Sequence, residues 1–190
     1  MVAPRSESLD DIAARACSEL RAVLARVPRA TLDAFAGELA AAARIALHGV
    51  GREGLMMRAL TMRLHHLGLD AHPVGDMTTP PLGAGDLLVA SAGPGRFATV
   101  EALLDVAEAA GARRVLVTAR DDAELASRAD LVVCLPARTM AVDGEAESVL
   151  PMGSAFEGCQ FLFFELLVAA LRESLGVSEA AMRERHTNLE

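Results

Sequence analysis

Five short apolar runs, "RIALHG", "DAHPV", "DLLVASAG", "RRVLVTA" and "LVVCLP", punctuate the chain between Arg44 and Pro136, and the stretches between them repeat apolar residues every three or four positions. Runs that are apolar throughout suit strands covered on both faces, and the longer spacing suits helices. "LMMRALTMRLHHLG" and "FATVEALLDVAEAAG" each end in a glycine placed to stop a helix, and "DDAELASRA" predicts a shorter helix before the fifth strand. Ahead of the first strand, Leu9, Ile12, Ala16, Leu20, Val23 and Val27 form an amphipathic helical stripe over about 6–27, with Ser6 as N-cap and Pro28 as its end. A second helix, "TLDAFAGELAAAA", follows it. After Pro136 comes a polar loop, "ARTMAVDGEAESVLPMG", then a long helix from about Ser154 to Leu175 ended by Gly176. A short helix, "SEAAMRER", and a tail occupy 176–190. This alternation predicts one α/β domain over 1–190, with a doubly wound five-stranded parallel sheet flanked by helices.

Composition narrows what such a domain could do. At 190 residues and 52% apolar content the chain can bury one core. Its net charge of −8, with arginines scattered among Asp and Glu, argues against nucleic acid or an anionic membrane as partner. Cys17, Cys134 and Cys159 form no C-x-x-C pair, so neither a disulfide framework nor a thiolate metal site is indicated, and a cytoplasmic protein is expected. The most apolar run, "FLFFELLVAAL", is short and carries Glu165, which fits a buried helix better than a membrane span.

In open parallel sheets ligands bind beyond the carboxyl ends of the strands, where two glycine loops fall here. The first, "HGVGREG", places a G-x-G-x-x-G at Gly49, Gly51 and Gly54 between strand and helix. That is the dinucleotide fingerprint, and Asp76 stands about where a ribose-binding carboxylate would be needed for NAD. The same turn can also serve another anion at a helix N-terminus. The second loop runs from Ser91 to Thr99.

With both loops in place, the chain resembles the sugar isomerase (SIS) domain family and, within it, the 6-phospho-3-hexuloisomerases. The matching stretches are "GVGREG", "MRLHHLG", "VGDMTTP", "LPMGSAFE" and the terminal "RHTNLE", in the family's order from the first strand to the last residue. The resemblance implies interconversion of hexulose 6-phosphate and fructose 6-phosphate through an enediol, no cofactor, no metal and a homo-oligomer, commonly a tetramer. It departs at two places. The family's S-G-S-G-x-T-x-S loop reads Ser91-Ala92-Gly93-Pro94-Gly95-Arg96-Phe97-Ala98-Thr99 here, keeping only the outer hydroxyls, and Glu53 replaces a small hydroxyl residue. A carboxylate at Glu53 would repel a phosphate or cap the helix dipole.

The resemblance assigns catalytic parts to Glu157, as the base that moves a carbon-bound proton, and to His66, whose imidazole could shuttle a hydroxyl proton. Plain structural readings remain open for both: Glu157 as a first-turn glutamate and His66 as a C-terminal cap beside Gly68. Substrate contacts are expected from Gly49, Gly51, Arg52, Thr78, Thr79, Ser91, Gly93, Gly95, Arg96 and Thr99, with His186 of the tail reaching a neighbouring subunit's site. Arg52 or Arg96 would pair with the phosphate, and the backbone N–H groups of Gly93 and Gly95 would share it. His48 and His72 read as structural. Three alternatives stay open: a sugar-phosphate-binding module without catalysis, serving as sensor or regulator; an isomerase of a different phosphosugar; and a nucleotide-dependent enzyme using Asp76.

Overall fold

The computed structural model describes residues 7–140 and 148–189. Its sheet consists of β1 (Ile45–Gly49), β2 (Ala71–Pro73), β3 (Leu87–Ser91), β4 (Arg113–Thr118) and β5 (Leu131–Cys134), all parallel in the order β2-β1-β3-β4-β5. The order reverses between β1 and β3, which makes their carboxyl ends the switch point where such folds place ligands. Gly49 and Ser91 are paired across that point.

Alternation along the strands divides the core. Ile45, Leu47, Val89, Val115 and Val117 face a layer formed by α1 (Leu9–Leu24), α2 (Arg29–Ala41), α3 (Gly51–Leu67) and α5 (Ser154–Ser174). Ala46, Leu88, Ala90 and Leu116 face α4 (Ala98–Ala109). Both faces are thus covered, which is why the strands read as continuous apolar runs. α5 has the length and apolarity of a membrane span, but Phe156, Phe163, Phe164, Leu167 and Leu171 bury one side of it in the core. A short α6 (Glu179–Glu184) packs against α3.

Several boundaries differ from those expected. α1 is capped by Ser8, whose hydroxyl accepts from the Asp11 N–H at 3.1 Å; Ser6 lies outside the described residues. Val23 is the one buried residue of α1 and Leu9 is 82% exposed, while Ile12 and Ala16 are half-buried, so the stripe that predicts this helix is only partly covered along its first half. "DDAELASRA" contains one 3₁₀ turn, Ala126–Arg128, instead of a helix: Arg120 ties back to Asp122 at 2.7 Å, and Ala123 and Leu125 tuck under the sheet. Gly68 ends α3 in the left-handed conformation, φ 89°, as its position foretells. Of the polar loop after Pro136, residues 141–147 lie outside the described residues.

Candidate functional site

The two glycines flanking the first turn of α3 let it start against the end of β1. A Cβ on Gly54 would stand 2.5 Å from the Gly49 carbonyl oxygen, and one on Gly49 would stand 2.9 Å from the Gly54 nitrogen. That contact sends Arg52 outward and Glu53 inward from the same turn. Arg52 donates to the Ser154 hydroxyl at 2.8 Å, and its guanidinium lies 3.9 Å from Glu157 Oε2. Ser154 and Glu157 sit in the first turn of α5, which the chain enters through two left-handed residues, Met152 (φ 52°) and Gly153 (φ 83°). For methionine that backbone is strained, a feature that concentrates at functional sites. The Glu157 side chain is 13% exposed, and among the described residues its Oε2 accepts no hydrogen bond. A carboxylate oxygen held in shelter and left unsatisfied is available to a substrate proton.

Glu53 is buried. It accepts a hydrogen bond from the Ser91 hydroxyl, and the Gly93 N–H lies 3.0 Å from one of its oxygens and 3.2 Å from the other. Ser91 in turn accepts from Gln160 Nε2 at 2.8 Å. Burial pushes the Glu53 carboxyl above its ordinary range, against the opposing pull of its two donors, and the nearby charge of Glu157 adds to the upward shift. The cap reading of Glu53 therefore holds in part: it sits at a helix N-terminus, but its partners belong to β3 and the loop beyond.

The second loop differs from expectation. Ser91 is wholly buried, and its hydroxyl and the Gly93 N–H are both engaged by Glu53. The Gly95 N–H closes a turn onto the Ala92 carbonyl at 2.9 Å, and Pro94 has no N–H. Arg96 pairs with Glu101 at 2.8 Å and Glu124 at 3.3 Å, so the acidic neighbourhood captures the cation expected to meet a phosphate. Thr99 is exposed on the first turn of α4, and Thr78 is exposed in the turn after β2. Thr79 donates its hydroxyl to the Pro73 carbonyl at 2.7 Å and shapes that turn. Asp76 lies 3.7 Å from Arg58.

His66 and Glu157 are not brought together within one chain. Fourteen residues of α3 separate His66 from Arg52, a rise of about 21 Å. α5 runs alongside in the same direction, with Glu157 near Arg52 and Glu165 3.0 Å from Arg63. His66 is buried at the far end, its ring 5.1 Å from that of His186, while Arg185 donates to the His66 carbonyl at 3.0 Å. The tail thus docks on its own α3. His48 is half-buried, its Nε2 without a hydrogen bond among the described residues and burial holding its pKa down, and His72 pairs with Asp70 at 2.8 Å. Sequence reasoning missed Ser154 and Gln160. Gln160 lies three residues after Glu157 in an otherwise apolar helix, a spacing that puts both on one face and could have revealed it.

No protein-family model matches the chain. It is 36% identical over 184 residues to the 3-hexulose-6-phosphate isomerase of Mycobacterium gastri, covering 97% of this chain and 87% of that one. It is 32% identical over 177 residues to the enzyme of the same name from Bacillus subtilis, covering 91% and 94%. Among solved structures, a hypothetical protein from Methanococcus jannaschii, whose crystal structure was described as inferring a molecular function of 3-hexulose-6-phosphate isomerase, superposes with a TM-score of 0.79 at 28% identity over 96% of this chain and 98% of that one. With about a third of its residues shared across nearly the whole of these relatives, the chain belongs to the 3-hexulose-6-phosphate isomerase family of SIS-fold phosphosugar isomerases.

Proposed function

We propose that this protein interconverts 3-hexulose 6-phosphate and fructose 6-phosphate, with Glu157 as the base. The observation that carries this reading is the sheltered Glu157 carboxylate, unsatisfied at Oε2 among the described residues and 3.9 Å from a guanidinium, at the carboxyl end of the sheet. Glu157 takes the proton from C2 of the 3-ketose, and the electron pair left on carbon forms the 2,3-enediol as O3 gains a proton. Return of the carbon-bound proton to C3, with loss of the O2 proton, gives the 2-ketose. Arg52 holds the phosphate or the developing oxyanion. Its half-exposed fork, steadied by Ser154, matches either group.

The hydroxyl proton moves through His66 of a neighbouring copy. One chain cannot supply both groups to one sugar across about 20 Å of helix. A homo-oligomer, a tetramer by family resemblance, supplies the second group, and the apolar residues left exposed on α3 (Leu55, Met62) and α5 (Phe161, Leu162, Leu166) support such an interface. Glu157→Gln keeps the shape and removes the base. Turnover of 3-hexulose 6-phosphate should fall by about 10²–10⁴ with KM nearly unchanged, and deuterium uptake from the solvent into C2 and C3 should stop. A Glu157→Gln protein that still exchanges those protons would refute the assignment. A wild type that binds sugar phosphates without turning them over would leave a binding module.

A further inference from the structure

Where β1 and β3 end side by side, the protein holds an anion of its own. The donors that converge there are the Ser91 hydroxyl, at the end of β3, and the Gly93 N–H, on the loop beyond it, both directed at the Glu53 carboxylate from the first turn of α3. Gln160 of α5 fixes the Ser91 hydroxyl from behind, at 2.8 Å, and is itself wholly buried. Gly93 has no room for a side chain: its Cβ would meet Phe156 at 2.7 Å and Glu53 Oε1 at 2.9 Å. A backbone N–H brought this close to a carboxylate, at a helix N-terminus, forms an anion seat shaped by three elements.

The rest of that loop has little to offer a second anion. The Ala92 N–H is spent on the Val117 carbonyl, Gly95 on Ala92, and Arg96 on two glutamates. Beside the seat, by contrast, Arg52 is 60% exposed and reaches the Ser154 hydroxyl and Glu157.

We propose that Glu53 is the built-in occupant of this seat and a specificity-determining residue: its carboxylate excludes the substrate's phosphate from Ser91 and Gly93, so the phosphate is received outside, on Arg52 beside Ser154. The naming of that anion as a sugar phosphate rests on the function proposed above; the occupancy of the seat by Glu53 does not. A site built this way accepts the anionic end of its substrate at one cation and is closed to anions that need a backbone cradle.

The test is the affinity for inorganic phosphate, measured by calorimetry on the full-length protein, with KM and kcat for 3-hexulose 6-phosphate taken in parallel. Glu53→Ser empties the seat and should raise phosphate affinity about tenfold, the worth of one charge-assisted hydrogen bond. Glu53→Gln removes the charge and keeps the shape, and should give a smaller gain. Arg52→Ala should lower phosphate affinity about tenfold in the wild type and much less in the Glu53→Ser background, where the opened seat takes over. Phosphate affinity in Glu53→Ser equal to or below that of the wild type overturns the proposal; should that variant fail to fold, the same result in Glu53→Gln does so. A wild-type crystal with phosphate on the Gly93 N–H and Glu53 swung aside overturns it as well. Absence of isomerase activity in the wild type together with the phosphate gain in Glu53→Ser would sink the isomerase reading while upholding the role of Glu53.

Discussion

Glu53 and its donors make the acid limb of stability readable at one residue. Burial raises the carboxyl above its ordinary value of 4.5, so the folded chain binds this proton more tightly than the unfolded chain does. The resulting stabilisation is complete below pH 4.5, where both states are protonated, and is lost as pH climbs through the raised folded value. Glu53→Gln cannot titrate, so its melting temperature relative to the wild type should rise across that window and level off above it. Thermal melts at a series of pH values check this, and a constant difference would show that burial does not shift this group. Arg52 offers the companion test. Arg52→Lys keeps a charge but loses the fork that spans Ser154 and Glu157, so KM should rise several-fold with a smaller loss in kcat, while Arg52→Ala should lose about tenfold more in kcat/KM. At this scale the sequence was legible in placing Glu157, which "LPMGSAFE" sets in the first turn of a helix, as found, and illegible where a partner decides a residue's use. Ser91 and Gly93 read as phosphate ligands because nothing in the order of residues shows that Glu53, far back along the chain, already occupies them.

Among the elements, the start of α3 carries the most constraint. Its first turn lies against β1 with glycine on glycine, and Gly54→Ala would drive a methyl group to 2.5 Å from the Gly49 carbonyl oxygen. Backbone cannot yield as a flexible side chain would, so the helix must shift away from the strand. The expected cost is about 1–3 kcal/mol in stability, with a larger proportional loss of activity because Arg52 and Glu53 move with the turn. Denaturant melts and kcat/KM on the same preparation separate the two effects; equal activity at reduced stability would mean that the turn only packs. The strands and long helices were readable from the chain because burial on both faces leaves continuous apolar runs, and because Gly68 and Gly111 mark the helix stops. The segment between β4 and β5 was not. Its alanines and acidic residues suit a helix, yet the local ties of Arg120 to Asp122 and the burial of Ala123 and Leu125 hold it to a single 3₁₀ turn.

For the whole molecule, the proposed roles of His66 and Glu157, set far apart along α3 and α5, call for an assembly of copies. Spacing along the sequence predicts that α3 is a helix; that Arg52 and His66 stand at its opposite ends, and so in two different sites under the proposed function, comes from the fold. A two-fold axis crossing α3 between Leu55 and Met62 would set Leu55 of each copy against Met62 of the other. It would also bring the His66 end of one helix to the Gly51–Arg52 end of its partner. Mixing tests this directly. In the Glu157→Gln homo-oligomer every site lacks its base, and in the His66→Asn homo-oligomer every site lacks its shuttle, so each alone should be nearly inactive. If the two chains are refolded together, half the pairs are mixed, and one of the two sites in each mixed pair receives Glu157 and His66 intact. Activity should then return to about a quarter of the wild-type level. If each site were built from a single chain, every site in the mixture would still carry one lesion and no activity would reappear. Recovery near a quarter would therefore establish that the catalytic unit is shared between two copies of this chain; no recovery would place Glu157 and His66 in the same chain's site, and an active His66→Asn homo-oligomer would show that Glu157 works without His66.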